Sequence, residues 1–167
     1  MKIHEYQAKA MLAKYGVAVP KGGPAESVDE ALALAKDLAP PIVVKCQIHA
    51  GGRGKGTLDV DYNGEPLHGV VLVDTPEEAA KVAGLMLGHT LVTKQTGPSG
   101  KMVNRVLLEE GVKIDRELYL GVVVDRALER PVMMGCAEGG TSIEEIAAER
   151  PEAIIKEKMS AKRGLEG

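Results

Sequence analysis

The sequence contains 167 residues, of which 44% are hydrophobic and 27% are charged, so the chain is long enough to bury a core and is not disordered as a whole. Its formal net charge of −3 argues against a general affinity for nucleic acids. Tyrosine occurs four times and Phe and Trp are absent, so the chain offers no row of aromatic rings on which single-stranded bases could stack.

The first predicted element is a helix near the N terminus. Apolar residues recur at helical spacing between Ile3 and Tyr15, and Gly16 follows as the residue expected just after a helix. Residues 17–20 are predicted to be extended. Residues 21–24 read Lys-Gly-Gly-Pro and are interpreted as a connector between two packing units.

A second helix and a buried strand follow. Ser27 and Glu30 form a capping-box pattern, which predicts a helix that ends near Leu38. The apolar run at 42–44 predicts a buried strand, and Lys45 comes at its end. The strand therefore places the ammonium group of Lys45 next to the loop that follows.

That loop is rich in glycine and carries two further cations, and its residues are Gly51, Gly52, Arg53, Gly54, Lys55 and Gly56. Glycines let backbone N–H groups approach phosphate oxygens closely, and Arg53 can bind a phosphate through two parallel hydrogen bonds. We therefore predict a polyphosphate site; the alternative is a basic, solvated turn. The loop is not a P-loop, because Gly56 follows Lys55 where a Ser or Thr is required, and no G-x-G-x-x-G pattern occurs.

A hairpin, a strand and a helix come next. Residues 57–62 alternate in polarity and lead to Asn63-Gly64, a strong signal for a two-residue hairpin turn. The returning strand contains Pro66, which predicts an edge or irregular strand. Residues 69–73 are predicted to form a strand. Residues 75–78 (Thr-Pro-Glu-Glu) predict a well-capped helix that reaches Leu87, with Pro76 at its first position, and this alternation of strand and helix predicts an α/β lobe.

Short turns separate the later predicted strands, which is typical of antiparallel pairing. These strands cover residues 91–95, 103–109, 117–125 and 131–137. Two α/β lobes joined near residues 109–112 would form a cleft suited to a nucleotide. In this interpretation Glu109 and Val112 lie in a hinge whose backbone contacts the base, and Glu117 accepts from ribose hydroxyls. The alternative for these glutamates is a solvated acidic bend.

The last part of the chain contains one more predicted helix. Glu138 precedes a glycine pair, and Ser142 with Glu145 forms a capping box for a helix that ends near Arg150. The basic residues 156–167 show no periodic apolar face, and no element is predicted there.

The two cysteines, Cys46 and Cys136, each lie within an apolar run, so we predict buried thiols and neither a disulfide nor a metal site. The first residues carry charge without the apolar segment of a signal peptide, and no window approaches eighteen uninterrupted apolar residues. The expected location is the cytoplasm, or the mitochondrial matrix in a eukaryote, and no membrane partner is expected.

Five blocks of this sequence, taken in order, resemble the β subunit of succinyl-CoA synthetase. The blocks are residues 3–9 (IHEYQAK), 43–55 (VVKCQIHAGGRGK), 91–97 (LVTKQTG), 116–126 (RELYLGVVVDR) and 138–147 (EGGTSIEEIA). The resemblance implies an α/β (α+β) ATP-grasp fold, in which two lobes hold a nucleotide. Residues 21–96 are then expected to form the first lobe, and residues 1–20 with 97–167 an incomplete second lobe.

The resemblance also implies roles for individual residues. Lys45 matches the lysine that contacts the nucleotide phosphates, and residues 52–54 (Gly52, Arg53 and Gly54) match the glycine loop over them. Glu109, Val112 and Glu117 match the hinge and ribose positions. The segment 56–69 is longer than the corresponding connection in many relatives, so closure of the loop over phosphate is expected to differ in detail.

The activity implied by the resemblance belongs to an acid–CoA ligase of the tricarboxylic acid cycle. Succinate, CoA and ATP (or GTP) are converted reversibly to succinyl-CoA, ADP (or GDP) and phosphate through a phosphohistidine on an α subunit, in an αβ heterodimer or heterotetramer. The phosphorylated histidine is expected on the α subunit and the Mg²⁺ ligands beyond residue 167, so no catalytic or metal residue is expected here. His4, His49, His68 and His89 are not expected to be the nucleophile.

Three alternatives remain at this stage. The chain could belong to a malate–CoA ligase or another acid–CoA ligase, since related β subunits share most of these motifs. It could be a truncated, non-catalytic nucleotide-binding module. An RNA-binding protein that uses the basic loop is disfavoured by the acidic net charge.

Overall fold

The computed structural model describes residues 2–139 and 143–165, and the chain divides into two compact units, Met1–Val112 and Lys113–Gly167. All strand pairs among these described residues are antiparallel. No helix within the described residues has the length and apolar composition needed to cross a membrane.

The core of the first unit is built on a four-stranded sheet. Its strands, in spatial order, are β1 (Gly22–Ala25), β8 (Val106–Glu110), β2 (Ile42–Cys46) and β5 (Val70–Val73). Val44 of β2 pairs with Leu108 of β8 on one side and Val71 of β5 on the other. Val44 and Leu108 are fully buried. Strands that are covered on both faces read as continuous apolar runs, which is why the β2 prediction is confirmed.

Two helices, α2 (Val28–Ala35) and α3 (Pro76–Met86), pack against each other and against this sheet. Their buried positions are mostly alanines, which allow close approach: Ala31, Ala35, Ala79, Ala80, Val82, Ala83 and Met86. Ser27 Oγ accepts from Glu30 N, and Thr75 Oγ1 accepts from Glu78 N, each at 3.2 Å. Both predicted N-caps are therefore confirmed, although α2 ends at Ala35 and not near Leu38.

A second sheet of the first unit has the strand order β4 (Glu65–His68), β3 (Thr57–Tyr62), β6 (Thr90–Val92) and β7 (Lys101–Met102). Asn63 and Gly64 have φ values of 56° and 87°, as a type I′ turn between β3 and β4 requires. Pro66 lies on the edge strand β4, where a missing N–H is tolerated. The predicted hairpin and edge strand are confirmed.

The N-terminal helix α1 (Glu5–Lys14) contains no buried residue. It ends at Lys14 with Tyr15 as its C-cap, and Gly16 follows with a φ of 79°, as predicted. Gln7 Oε1 accepts from His4 N at 2.8 Å at the start of the helix. Polar side-chain contacts, among them Lys9–Glu109 and Glu5–Arg53, hold α1 to the rest of the first unit.

The second unit contains one four-stranded sheet and a short helix. Its strands, in spatial order, are β12 (Gly164–Leu165), β11 (Ile155–Ser160), β10 (Arg130–Cys136) and β9 (Tyr119–Asp125), and the helix is α4 (Ile143–Glu149). Val132, Cys136 and Ile146 are buried. Leu120, Val122 and Val124 of the edge strand β9 are 70%, 56% and 74% exposed.

Two sequence predictions about local structure are wrong. Residues 21–24 were interpreted as a connector, but Gly22–Ala25 forms β1, which pairs with β8. The segment 156–167 was given no element, but most of its described part lies in β11 and β12, and β11 pairs with β10. Strands β1 and β11 are stabilised by partners distant in sequence, which local patterns do not reveal. The predicted cap at Ser142 lies outside the described residues, as do residues 140 and 141.

The compact units have other bounds than the predicted lobes. Residues 97–112 lie in the first unit, because β8 is inserted between β1 and β2, and residues 1–20 lie there as well. The boundary falls directly after residues 109–112, the segment predicted to be a hinge.

We predict that Leu108→Ala lowers the free energy of unfolding of the first unit by roughly 2 to 5 kcal/mol, because it leaves a cavity in a central strand that is buried along most of its length. Leu72→Ala is the matched control on the same sheet, since Leu72 is 62% exposed, and it should cost about 1 kcal/mol or less. Urea unfolding followed by circular dichroism measures both. Equal losses for the two variants would contradict the described core.

Candidate functional site

The site begins with Lys45, close to the end of β2. Val43 pairs with Glu109 of the neighbouring strand β8, so Lys45 is a diagonal neighbour of Glu109. Lys45 Nζ donates to Glu109 Oε1 and, at 3.3 Å, to Glu5 Oε1. Glu109 is only 3% exposed, and a carboxylate buried to this extent requires cationic partners.

Helix α1 contributes two more charged side chains. Glu5 and Lys9 are one helical turn apart, with Lys9 Nζ 3.0 Å from Glu5 Oε1. Lys9 Nζ also donates to Glu109 Oε2 at 2.5 Å. The carboxylate of Glu109 therefore accepts from one lysine of the sheet and one of the helix.

Arg53 in the glycine loop completes the group. Its Nη2 donates to Glu5 Oε2 at 2.6 Å, and its Nη1 donates to the Cys46 carbonyl at 2.7 Å. We call the five side chains of Glu5, Lys9, Lys45, Arg53 and Glu109 the ionic cluster. With three cations and two carboxylates it has a net charge of +1.

The cluster shifts the pKa of its members. Burial by itself raises the pKa of Glu5, but the charges and hydrogen bonds of Lys45, Lys9 and Arg53 prevail and lower that pKa to about 2. Burial alone would lower the pKa of Lys9, yet its hydrogen bonds to Glu109 and Glu5 raise it. Burial raises the pKa of the nearby Cys46 thiol to about 12, so Cys46 is an inert core residue.

The glycine loop has a defined backbone. Gly52 adopts a left-handed conformation with a φ of 75°, and Arg53–Lys55 forms a single 3-10 turn. Gly51 N donates to Gln95 Oε1 at 2.7 Å, which ties the loop to the chain after β6. A Cβ atom at Gly56 would lie 2.7 Å from Thr93 Cγ2, so only glycine fits there.

Three successive amides of the loop are available to a ligand. The N–H groups of Gly52, Arg53 and Gly54 make no hydrogen bond to any described residue, whereas the next two amides, at 55 and 56, bond back to the Gly52 carbonyl. Consecutive free amides beside an arginine form a concave donor surface of the kind that binds anions.

A cavity of about 360 Å³ opens beside the loop, and it is lined by Lys2, Ile3, Glu5, Ile48, His49, Ala50, Gly51 and Arg53. The rings of His4 and His49 are stacked close by, with centroids 3.9 Å apart. Burial, followed by the positive charges of neighbouring side chains, lowers the pKa of His4. Because Arg53 and Glu5 both line the cavity, an anion from solvent can reach Arg53 at the point where Arg53 contacts Glu5.

The structure brings some predicted site residues together and leaves others apart. Lys45, Arg53 and Glu109 share the ionic cluster, with Gly52 and Gly54 in the adjoining loop. Val112 is exposed at the end of the first unit. Glu117 is exposed in the second unit, where its carbonyl accepts from Gly139 N at 3.0 Å.

Sequence reasoning missed Glu5 and Lys9 as members of the cluster. The available signal was their spacing of four residues on a helix, inside the first family-like block. It also assigned Glu109 a backbone role in a hinge, whereas the side chain of Glu109 is a buried counter-ion. In the same segment the backbone N–H groups of Glu110 and Gly111 donate to the carbonyls of Lys21 and Pro41 at 2.9 and 2.6 Å.

The residues that the structure describes do not fit a magnesium site. Among them, no group of three or more His, Cys, Asp or Glu side chains is arranged to hold a metal ion. The carboxylates of the ionic cluster are occupied by Lys9, Lys45 and Arg53.

Comparison with known proteins gives the following matches. The family model described as an ATP-grasp domain matches residues 2–167. The chain is 50% identical to the ADP-forming succinate–CoA ligase subunit β of Chlorobium luteolum, over 100% of this chain and 41% of that protein. It is 52% identical to the same subunit of Geobacillus kaustophilus, over 99% and 40%. The chain thus spans about two fifths of the length of the curated relatives it matches.

The fold is also similar to a solved structure of ATP citrate lyase from Methanothrix soehngenii in complex with citrate and coenzyme A. The TM-score is 0.63 at 19% sequence identity, and the match covers 98% of this chain and 36% of that one. At this identity the likeness concerns the fold alone.

We predict that ionised Glu5 stabilises the first unit at neutral pH and that this contribution is lost in acid. Its pKa of about 2 lies below the ordinary 4.5, so the stabilisation is present above about pH 4.5 and is lost as the pH falls from 4.5 towards 2. Allowing for partial exposure, Glu5→Gln should cost roughly 1 to 2 kcal/mol at pH 7. The difference from wild type should be clearly smaller at pH 3.

Urea titrations at several pH values measure this difference. Glu65→Gln, which removes an exposed carboxylate on β4, is the charge-matched control. A cost of Glu5→Gln that is the same at pH 7 and pH 3 would show that the ion pairs of Glu5 do not stabilise the fold.

Proposed function

The chain belongs to the ATP-grasp domain family, and on that premise we propose that it is the nucleotide-binding part of the β subunit of a succinate–CoA ligase. The complete enzyme would couple succinate, CoA and ATP reversibly to succinyl-CoA, ADP and phosphate. About 50% identity to ADP-forming succinate–CoA ligase β subunits, over the full length of this chain, supports both the acid and the adenine nucleotide.

The observation that carries the proposal is the convergence of Lys45 and Arg53 beside a loop with three available amides. Both cations are largely shielded from solvent, with side chains 20% and 21% exposed. Phosphate oxygens bound there would meet two charged donors in a region of reduced dielectric, where charge-assisted hydrogen bonds are strong. The cavity lined by Gly51 and Arg53 provides the approach.

The remaining roles follow the family pattern. We assign the phosphates to Lys45, Arg53 and the amides of Gly52 and Gly54. The adenine edge would contact the backbone of residues 109–112, and the ribose hydroxyls would contact Glu117. Glu109 would then have two functions, since its side chain holds Lys45 while its backbone lies in the hinge.

Phosphoryl transfer would be carried out by residues in other parts of the enzyme. We place the magnesium ligands and the CoA-ligase region in the portion of the β subunit that this chain does not span, and the phosphorylated histidine on an α subunit. A bound metal ion would neutralise charge on the transferred phosphate. This chain would bind and orient the nucleotide in an αβ heterodimer or heterotetramer of the cytoplasm or mitochondrial matrix.

We predict that Lys45→Ala weakens ADP binding by the complete enzyme roughly tenfold or more, because it removes a charge-assisted contact to phosphate. Lys36→Ala, which removes an exposed lysine just after α2, is the matched control and should leave affinity unchanged. Isothermal titration calorimetry gives both affinities. A folded Lys45→Ala protein that binds ADP as well as the control does would refute the assigned phosphate site.

We also predict that residues 1–167 alone bind ADP weakly and catalyse no turnover, whereas a complete β subunit with its α partner is active. The assay is succinate- and CoA-dependent ATP cleavage by the fragment, with and without added α subunit. Turnover by the fragment at a rate comparable to that of the complete pair would mean that the chemistry lies within this chain. A complete pair that uses malate and not succinate would favour the malate–CoA ligase alternative. A complete protein that binds ADP without turnover would favour the non-catalytic module.

A further inference from the structure

In the ionic cluster, the Glu5 carboxylate contacts Lys45 and Arg53, the two cations to which the proposed function assigns phosphate. Glu5 Oε1 is 3.3 Å from Lys45 Nζ, and Glu5 Oε2 is 2.6 Å from Arg53 Nη2. Its two oxygens therefore contact two different cations, as two oxygens of one phosphate group would. Glu5 acts as an internal anion at this position.

The contacts that hold α1 would allow the Glu5 carboxylate to move away from Lys45 and Arg53. α1 has no buried side chain, and besides the ionic cluster it is held by Tyr6, whose hydroxyl accepts from Arg105 Nη1 at 2.7 Å and whose N–H donates to Gln47 Oε1 at 3.4 Å. The Glu5 side chain is 22% exposed, and the strong bonds that it would give up at Lys45 and Arg53 are replaced by charge-assisted bonds from the same cations to phosphate. Movement at the start of α1 would therefore leave the apolar core of the first unit closed.

The cavity and Lys9 provide the path for an exchange. Glu5 and Arg53 both line the 360 Å³ cavity, so an entering anion meets Arg53 while Glu5 is still bound to it. Lys9 Nζ is 3.0 Å from Glu5 Oε1, and Lys9 stays bonded to the buried Glu109 while the start of α1 moves. The carboxylate thus keeps one cationic partner when it gives up Lys45 and Arg53.

We infer that Glu5 sets the nucleotide affinity of this site by competing with phosphate for Lys45 and Arg53. This inference rests on the proposed function. Without nucleotide, Glu5 neutralises the two cations and holds α1 on the site. With nucleotide, a phosphate replaces it, so hydrogen bonds are exchanged without proton transfer and the start of α1 loosens. Nucleotide binding therefore increases the mobility of the N-terminal helix.

Calorimetric titration of the complete protein with ADP tests the inference through three variants. Glu5→Gln keeps the size of the side chain and removes its charge, and it should bind ADP about fivefold more tightly than wild type. Glu26→Gln is the matched control, because Glu26 pairs with Arg105, an arginine that also contacts α1, but lies outside the ionic cluster. It should leave the affinity unchanged. Lys45→Ala reports on the phosphate site itself.

The outcomes separate the two proposals. If Lys45→Ala weakens ADP binding and Glu5→Gln binds no more tightly than Glu26→Gln, the inference about Glu5 is overturned while the phosphate site stands. If Lys45→Ala has no effect, the proposed site fails, and the inference fails with it. Should Glu5→Gln fail to fold, Glu5→Asp replaces it, because the shorter side chain retracts from Arg53 and should give a smaller gain in the same direction.

Hydrogen exchange of the unmodified complete protein provides a test without substitutions. The amides of α1 should exchange faster when ADP is added, while those of the buried strand β8 keep their protection. Slower exchange in α1 on addition of ADP would show that nucleotide tightens the helix, and would overturn the inference.

Discussion

The buried carboxylate of Glu109 is the constraint on which the arrangement of the first unit depends. A charge that is almost removed from water is tolerated only when cations and hydrogen bonds compensate for its lost hydration. Lys45 supplies compensation from the neighbouring strand, and Lys9 supplies it from α1. The same interaction therefore positions a cation at the strand end and fastens a helix that has no apolar contact face of its own.

The apolar core around the Glu109 ion pairs is rigid compared with α1 and the glycine loop. Strands β2 and β8 lie in the middle of one sheet and are buried along most of their length, and the alanine-rich surfaces of α2 and α3 pack over them. Such close packing resists displacement of the backbone. Lys45 and Glu109 are thus mounted on fixed elements, whereas Glu5 and Arg53 come from a polar helix and a glycine loop. The site combines a rigid half and an adjustable half.

Local chemistry made part of this structure predictable. Asn63-Gly64 requires positive φ values that fit a type I′ turn, Ser27 and Thr75 offer side-chain acceptors to helix N–H groups, and the run 42–44 is apolar without alternation. Each of these signals acts within a few residues. The glycine loop and Lys45 could be recognised for the same reason, and the family resemblance then indicated which fold would present them.

The remaining features depend on partners far away in the sequence. Gly22–Ala25 is a strand only because Val106–Glu109 lies beside it, and Ile155–Ser160 is a strand because it pairs with β10. The contact between Lys9 and Glu109 joins residues 100 positions apart. A charged helix face has the same pattern whether it meets water or a buried carboxylate, so the ionic cluster could not be derived from periodicity.

The edge strands β4 and β9 differ in how strongly they resist pairing with a strand of another molecule. Edge strand β4 contains Pro66 beside Glu65, and both discourage another chain from adding to that sheet. Edge strand β9 has no such protection, and its side chains Leu120, Val122 and Val124 are largely exposed. An apolar, β-branched edge of this kind favours intermolecular strand addition and aggregation. Colloidal stability of the isolated polypeptide is therefore limited by its second unit, and a charged residue introduced into β9 is the change best suited to keep it in solution.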